Sequence, residues 1–251
     1  MRTVPRSIAG RSVGSPNRGV KPPWYRVAVA TQGERMPIFP LSNVVLFPQL
    51  ATPLHLFEPR YRQLGRDALA GDRRIGMVVV RPEFADDMAG DPPVFPIGCA
   101  GRVTESQRLP DGRYNIVLRG DYRFRVVEEE PRREPRLYRV ARVIPLPDVY
   151  AEADRERVAA LRPGLLETVG ALLRELEPER APGLRTDLFA GVDDVTLVNL
   201  LCNAFALPVE DKQALLETDS IPERYVRLES VLAFERAHRN TRGAGSRGRL
   251  H

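Results

Sequence analysis

Hydrophobic residues follow two different periods along the chain. From Met36 to about Leu146 they occur in short β-branched runs, such as Arg74–Val80, or alternate with polar residues, as in Tyr122–Val126. Both patterns are typical of β-strands, and frequent turn signals between short strands favour a barrel or a sandwich. Beyond Leu146 the apolar residues recur every 3.6 positions, which predicts helices. The sequence therefore predicts a β part followed by an α part.

Glycines and a proline mark where the predicted strands bend or turn. Gly98 and Gly101 lie within an apolar run and indicate a bend or bulge there. Leu109–Gly112 predicts a hairpin turn, because its proline presets φ, its aspartate tolerates a turn and its glycine supplies a positive φ. Tyr114–Leu118 is the expected return strand. Arg119–Asp121 predicts a second turn, with a separate strand after it.

One helix is expected within the β part and four in the α part. The first begins at Pro59, where a missing N–H loses no intrahelical bond, and ends at Gly71 as a C-terminal cap. The apolar residues of Val158–Leu176 predict the second, and Pro163 is expected to kink or restart it. The others are expected to run from Asp193 to Pro208, from Glu210 to Glu217 and from Ile221 to His238.

The formal net charge of +5 for the 251 residues is unevenly distributed. Residues 1–35 carry a net +6 and residues 239–251 a net +4, which leaves a net −5 for the residues between them. Both ends are expected to be disordered basic extensions, and Met36 is an alternative translation start. The expected organisation is an extension over 1–35, a β subdomain over 36–148, a helical subdomain over 149–238 and a tail over 239–251.

Several classes of protein are excluded by what the sequence lacks. No apolar run approaches the roughly 18–20 residues of a membrane helix. Cys99 and Cys202 are too few for a disulfide scaffold or an all-cysteine zinc site, and we expect buried thiols in a cytoplasmic protein. The three histidines lack metal-ligand spacing, and neither lysine stands in a P-loop. We expect no metal and no cofactor.

Segments along the chain resemble one known family in the same order. They resemble the start, the middle and the helical part of the Lon N-terminal (substrate-binding) domain. The segments are Met36–Leu41, Val44–Pro48, Leu54–Tyr61, Ile97–Val103, Leu109–Gly112, Val117–Val126, Leu207–Gln213, Leu215–Glu217 and Glu223–Arg224. The stretch Phe57-Glu58-Pro59-Arg60-Tyr61 is typical of the short stand-alone bacterial members. The resemblance covers about residues 36–236.

The resemblance implies an α+β fold, with a six-stranded PUA-like pseudo-barrel followed by a C-terminal helical bundle. In the full protease this domain precedes an ATPase and a Ser–Lys peptidase. Because this chain ends at His251 and lacks the Walker lysine, we expect neither ATP hydrolysis nor peptide cleavage. If the chain were described as a peptidase, that description would derive from the full-length protease and not from residues of this chain.

The function that the resemblance implies is the binding of unfolded or client proteins, with a protease or a chaperone acting in trans as a further partner. The candidate binding residues are Phe57, Glu58, Arg60 and Tyr61. The alternative for this stretch is architectural, with both aromatic rings in the core, Glu58 capping a helix and Arg60 solvated. The bundle is a second candidate docking surface, on which Glu223, Arg224 and Arg227 are expected to face outwards.

RNA binding is the alternative function, because PUA-like barrels often bind RNA. The candidate face consists of Arg102, Arg113, Arg119, Arg123, Arg125, Arg139 and Arg142, with Tyr114 and Tyr122 for stacking. Against it stand the acidic middle of the chain and the adjacent Glu105 and Glu128–Glu130. Nucleic acid could also bind the basic tails. An enzyme is a third class, for which the sequence selects no residues.

Overall fold

The computed structural model describes residues 33–148, 150–176 and 189–247, and side chains as far as Arg239. Its strands are β1 (Glu34–Leu41), β2 (Ala51–Leu56), β3 (Arg74–Val79), β4 (Ile97–Arg108), β5 (Tyr114–Glu129) and β6 (Val140–Leu146). Its helices are α1 (Pro59–Ala70), α2 (Glu152–Leu176), α3 (Asp194–Ala204), α4 (Val209–Glu217) and α5 (Ile221–Arg247), with a 3-10 turn at Pro82–Phe84. The expected extension lies outside the described residues up to position 32, as do positions 248–251 of the tail.

Six strands form one mixed sheet that closes on itself. The strand order is β2-β5-β4-β3-β1-β6, and β6 also pairs with the second half of β5. Five strands therefore form a ring, and β2 extends the sheet by pairing with the first half of β5. β1 runs parallel to β3, and the crossover between them contains β2 and α1. The predicted pseudo-barrel and bundle, and the α+β class, are confirmed.

The ordered strands and helices begin earlier and end later than the expected boundaries. Glu34 and Arg35 lie in β1 and pair with β6, so they are not part of a disordered extension. Their side chains are held as well, by Arg74 at 3.0 Å and by Glu130 at 2.7 Å. At the other end, α5 continues from the expected end at His238 to Arg247.

The first predicted turn of the barrel is confirmed and the second is wrong. At the hairpin, Gly112 has a φ of +83° and donates its N–H to the Leu109 carbonyl at 3.0 Å. At Arg119–Asp121, however, β5 continues without interruption. Gly120 lies opposite Gly101, where the β4–β5 register shifts as the glycine pattern indicated. A bulge, rather than a turn, bends the strand and leaves it paired.

The helices of the bundle follow the sequence signals except at the internal proline. Asp193 accepts a hydrogen bond from the Thr196 N–H at 2.9 Å and so caps α3. α2 runs continuously through Pro163, so the expected restart does not occur. Val158 and Leu165 on either side of it are fully buried, and their packing outweighs the roughly 3 kcal/mol that an interior proline costs.

Three apolar clusters hold the barrel and the bundle together. One fills the barrel around Phe124, and a second lies between the sheet and the inner face of α1. The third is the bundle core, which continues into Phe47, Val79 and Ile97 of the barrel. The bundle therefore packs against one side of the barrel and α1 against another.

A buried ion network joins the barrel to the bundle. Asp148, just after β6, accepts hydrogen bonds from Arg123 of β5 at 2.9 Å and from Arg224 of α5 at 3.0 and 3.2 Å. Arg224 also donates to the Asn199 side chain at 2.8 Å, and Arg123 to the Leu216 carbonyl at 3.0 Å. Burial lowers the pKa of Arg123, and the neighbouring Arg224 lowers it further.

This network overturns two expectations about arginines. Arg224 was expected to face outwards with Glu223 and Arg227, but it is fully buried, whereas those two residues are exposed. Arg123 was expected on an outer basic face and is also buried. A guanidinium can be buried only where acceptors surround it, and Asp148 with the carbonyls at the end of α4 supplies them. None of these partners is adjacent to either arginine in sequence.

Replacing Gly120 by alanine should destabilise the protein by about 1–3 kcal/mol, because overpacking a tight contact costs this much. A Cβ at this position would lie 2.3 Å from the Phe47 carbonyl oxygen, which is backbone and cannot rotate away. Urea denaturation followed by circular dichroism measures the loss. Gly191→Ala is the control, because nothing lies within 4 Å of its new Cβ. Equal effects of the two substitutions would contradict the assignment.

Asp148→Asn should cost about 3–5 kcal/mol, because it removes the buried carboxylate that two buried guanidiniums share. Asp219→Asn is the matched control, since Asp219 is 76% exposed and lies 3.5 Å from the same Arg123. We expect the control to change the free energy of unfolding by less than about 0.5 kcal/mol. The comparison uses the same urea denaturation, and a tolerated Asp148→Asn would contradict the role of the network.

Candidate protein-binding surface

Phe57 lies on the surface at the junction of β2 and α1. The residue is 58% exposed, which is unusual for a phenylalanine next to two regular elements. It follows Leu56, which is fully buried and ends β2, and precedes Pro59, which starts α1. Because successive strand residues point to opposite faces, burial of Leu56 turns Phe57 outwards. The architectural alternative, which put this ring in the core, does not apply to Phe57.

His55 lies beside Phe57 and connects it to the outer face of the sheet. The two rings stack with centroids 5.9 Å apart. His55 Nδ1 lies 2.6 Å from the Asn115 carboxamide oxygen and its Nε2 lies 3.3 Å from Arg113 Nη1. A carboxamide oxygen only accepts and a guanidinium only donates, so these partners fit the tautomer with its proton on Nδ1. The stack is thereby fixed in orientation.

A shallow groove of about 390 Å³ continues from His55 across the outer face of the sheet. Its lining, called the outer groove below, consists of Pro53, Leu54, His55, Glu105, Ser106, Gln107, Asn115, Ile116 and Val117. These residues belong to β2, β4 and β5. The groove combines apolar side chains with two carboxamides and one carboxylate, so it can contact both apolar and polar groups of a peptide.

Glu58 and Arg60 form an ion pair at the start of α1. Arg60 Nε donates to the Glu58 carboxylate at 2.9 Å, and the architectural alternative, with Glu58 as a cap and Arg60 in solvent, is wrong for both residues. Glu58 occupies the N-cap position without a side-chain cap bond. Arg60 is not solvated, because it also donates to the carbonyls of Met88 and Gly90. The pair therefore anchors α1 to the loop between β3 and β4.

Tyr61 is part of the core and not of the surface. Its ring is 5% exposed and meets Phe39 edge to face, with centroids 4.4 Å apart. The Arg60 guanidinium lies 4.6 Å above the ring centroid, and burial raises the pKa of the Tyr61 hydroxyl. Of the four candidate site residues, Phe57 alone presents a large apolar group to solvent.

A second pocket, of about 330 Å³, lies between α1 and the β4–β5 hairpin. Its lining, called the arginine pocket below, consists of Pro59, Arg62, Gln63, Arg66, Arg108, Asp111, Gly112, Tyr114 and Leu137. Three of these side chains are guanidiniums and one is a carboxylate. Arg62 and Arg66 are four residues apart and so share one face of α1. Because Pro59 is part of its lining, the pocket begins two residues along the chain from Phe57.

The seven arginines proposed as an RNA-binding face do not form one basic surface. Five have carboxylate partners: Arg102 with Asp121, Arg113 with Asp111, Arg123 with Asp148, Arg139 with Glu129 and Arg142 with Glu128. Arg123 and Arg139 are also buried. Tyr114 is 8% exposed and so offers no ring face for stacking on a base, and Tyr122 is half-buried with its hydroxyl hydrogen-bonded to Glu34.

Neither a cluster of metal-ligating side chains nor a membrane-spanning helix is found among the described residues. No group of three or more His, Cys, Asp or Glu residues in 33–148, 150–176 and 189–247 could hold a metal ion. Within the same ranges no helix has the length and apolarity needed to span a bilayer. Cys99 and Cys202 are buried free thiols, as expected, and burial raises the pKa of both, that of Cys202 to about 12.

A closed barrel, a helical bundle on one side of it and an exposed aromatic surface on another define an α+β module with the features of a binding domain. The family model of the ATP-dependent protease La (LON) substrate-binding domain matches residues 35–233. The chain belongs to this family, as its sequence segments indicated.

Full-length relatives match over most of this chain. The Lon protease of Cytophaga hutchinsonii is 28% identical over 189 residues, which are 75% of this chain and 23% of that protein. Lon protease 2 of Myxococcus xanthus is 32% identical over 196 residues, which are 75% of this chain and 22% of that protein. The chain therefore spans less than a quarter of the length of these two relatives.

Solved structures share the fold. The N-terminal domain of a Mycobacterium avium complex Lon protease superposes with a TM-score of 0.57 at 17% identity, covering 80% of this chain and 98% of that one. A Lon N-terminal domain protein from Xanthomonas campestris gives a TM-score of 0.50 at 22% identity, with the same coverage. At these identities the likeness concerns the fold alone.

The sequence did not single out the polar residues that surround Phe57. His55 and Asn115 are far apart in the chain and meet only because β2 pairs with β5, with His55 opposite Asn115. Arg108 reaches α1 only through the hairpin. The one available signal was the spacing of Arg62 and Arg66 on the outer face of an amphipathic helix.

Phe57→Ala and Tyr61→Ala should differ in their effect on stability, because the first removes an exposed ring and the second a buried one. We expect Tyr61→Ala to cost about 3–5 kcal/mol, as removal of buried aromatic rings does. Phe57→Ala should change the free energy of unfolding by about 0.5 kcal/mol or less, because its ring is mostly in solvent. Thermal and urea denaturation measure both variants. A large loss of stability for Phe57→Ala would show that its ring is structural.

Proposed function

We propose that this protein is a non-catalytic binding module that takes unfolded segments of client proteins on the surface formed by Phe57 and the outer groove. The observation that supports this proposal most directly is the exposed Phe57 ring, which stacks on His55 at one end of the groove. Exposed aromatic residues are enriched among the side chains that dominate protein–protein binding energies. The family to which the chain belongs supports a substrate-binding role.

The geometry favours side-chain capture in the groove over the addition of a strand. β2 is the terminal strand of the sheet, and an extended chain could in principle pair with its outer edge. Pro53 lies in the middle of β2 and has no N–H to donate, which limits a continuous ladder. The outer groove and Phe57 instead offer contacts that do not depend on backbone pairing.

The proposal has three further parts. The module acts without ATP hydrolysis or peptide cleavage, it hands its clients to a protease or a chaperone in trans, and it does so in the cytoplasm. The matched family is that of the substrate-binding domain, and the match covers under a quarter of the full-length proteases. Buried reduced thiols at Cys99 and Cys202 are compatible with that compartment.

Reduced, carbamidomethylated α-lactalbumin, which cannot refold, should bind the full chain, and Phe57→Ala should weaken this binding by about tenfold or more. Fluorescence anisotropy of the labelled probe measures the affinity. The control is Phe234→Ala, because Phe234 is 69% exposed on α5 and belongs to another surface. The same mixture with ATP should leave the probe intact on a gel.

Three outcomes would contradict this function. The probe could fail to bind, it could bind equally well to Phe57→Ala, or it could be cleaved by the purified chain. Either of the first two would contradict the assignment of the binding surface, and the third would contradict the proposal that the module is non-catalytic. Native α-lactalbumin distinguishes recognition of unfolded chains from general adhesion, since we expect it not to compete.

A further inference from the structure

Two of the three guanidiniums in the arginine pocket have no carboxylate partner among the described residues. Within the described residues Arg108 has no carboxylate partner, and Arg62 donates only to the Asp111 carbonyl, at 3.2 Å. Arg66 pairs with Asp67, and both of these side chains are more than a third exposed. An exposed pair of this kind is weak and exchanges readily for another carboxylate.

The one carboxylate in the pocket lining is already neutralised from outside it. Asp111 accepts hydrogen bonds from the Arg113 backbone N–H at 3.0 Å and from its Nε at 2.6 Å. These bonds lower the pKa of Asp111, so its charge persists but is balanced by Arg113. Arg62 and Arg108 therefore remain as an excess of positive charge around one small cavity, and Arg66 adds a third guanidinium whose only carboxylate partner is the exposed Asp67.

The walls of the pocket are held in place by neighbouring loops. The Gln63 carboxamide donates to the Pro135 carbonyl at 2.8 Å and accepts the Leu137 N–H at 2.6 Å. Leu137 is 45% exposed and forms an apolar rim. The pocket thus combines an apolar edge with planar, charged donors in a shape that exists before a ligand arrives, which reduces the entropy lost on binding.

We propose that the arginine pocket binds the carboxylate of an aspartate or glutamate in the client segment, so that the module selects clients with an acidic residue close to an aromatic or aliphatic one. This inference rests on the proposed function, because the same segment contacts Phe57. Guanidiniums form paired hydrogen bonds with carboxylates and so fit this group better than a neutral amide. Phe57 and Pro59 are two residues apart, so a segment spans both sites within a few residues.

An acidic protein segment fits this pocket better than RNA does. A cavity of about 330 Å³ has room for one side chain and not for a polynucleotide. The only aromatic residue in its lining, Tyr114, is 8% exposed and offers no stacking platform. Residues 36–238 carry a net −5, which repels a long polyanion but affects a single carboxylate in a basic pocket much less.

The test uses an array of ten-residue peptides that covers the α-lactalbumin sequence, with each peptide also made with Glu→Gln and Asp→Asn. The probe for the array is the labelled full chain. We expect peptides that contain both acidic and aromatic residues to bind about three- to tenfold more weakly after neutralisation. The difference should shrink between about 0.05 and 0.5 M salt.

The variant Arg62→Gln/Arg66→Gln/Arg108→Gln should abolish this preference and keep the Phe57-dependent binding of neutral peptides. The control, Arg125→Gln/Arg157→Gln/Arg227→Gln, removes the same charge from exposed arginines outside the pocket and should retain the preference. Circular dichroism and thermal denaturation verify that both variants fold.

The outcomes separate this inference from the proposed function. Phe57-dependent binding with equal affinity for Glu and Gln peptides would overturn the pocket and leave the function standing. If no peptide binds, NMR titration of the arginine Nε–H signals with N-acetylglutamate tests the pocket directly. Shifts confined to Arg62, Arg66 and Arg108 would then support carboxylate binding, and their absence would overturn it. Tighter, pocket-dependent binding of a ten-nucleotide uridine RNA would show that the ligand class is wrong.

Discussion

One buried carboxylate sets the relation between the two halves of this protein. Asp148 lies two residues after the end of β6 and forms ion pairs with both Arg123 of the barrel and Arg224 of the bundle. Burying three charges contributes little net stability compared with apolar packing, but the directional bonds permit only one arrangement of the two elements. The bundle core then closes over Phe47 and Ile97, and that side of the barrel is removed from solvent.

The proposed binding surface lies on a face of the barrel that neither the bundle nor α1 covers. The bundle takes one side and α1 takes another, which leaves the outer face of β2, β4 and β5 to solvent. The hairpin then docks at the β2–α1 junction through Arg113 on His55 and Arg62 on Asp111. An apolar patch and a basic pocket result on neighbouring parts of one rigid scaffold, and such a scaffold suits ligands that combine both kinds of side chain.

The segment at Phe57 to Tyr61 shows how far a motif alone can be interpreted. Its five residues indicated the family and the start of a helix, and both are confirmed. The motif could not show that two aromatic residues four positions apart have opposite environments. Phe57 precedes the helix and points outwards, whereas Tyr61 lies on the inner face of α1 against Phe39. The ion pair of Glu58 and Arg60 is likewise structural, because it reaches the loop at Met88 and Gly90.

The sequence by itself determined the α+β class, most helix starts and the hairpin turn, because these depend on local periodicity, capping and turn chemistry. The family was indicated separately, by the resemblance of its sequence segments. Only the tertiary structure decided that β5 passes through Gly120 as one strand, that Arg123 and Arg224 are buried, and that His55, Asn115 and Arg113 meet beside Phe57. Each of these depends on partners that are distant in the chain. The sequence alone predicts that an arginine is exposed to solvent, because the carboxylate that makes its burial favourable, here Asp148, is distant in the chain.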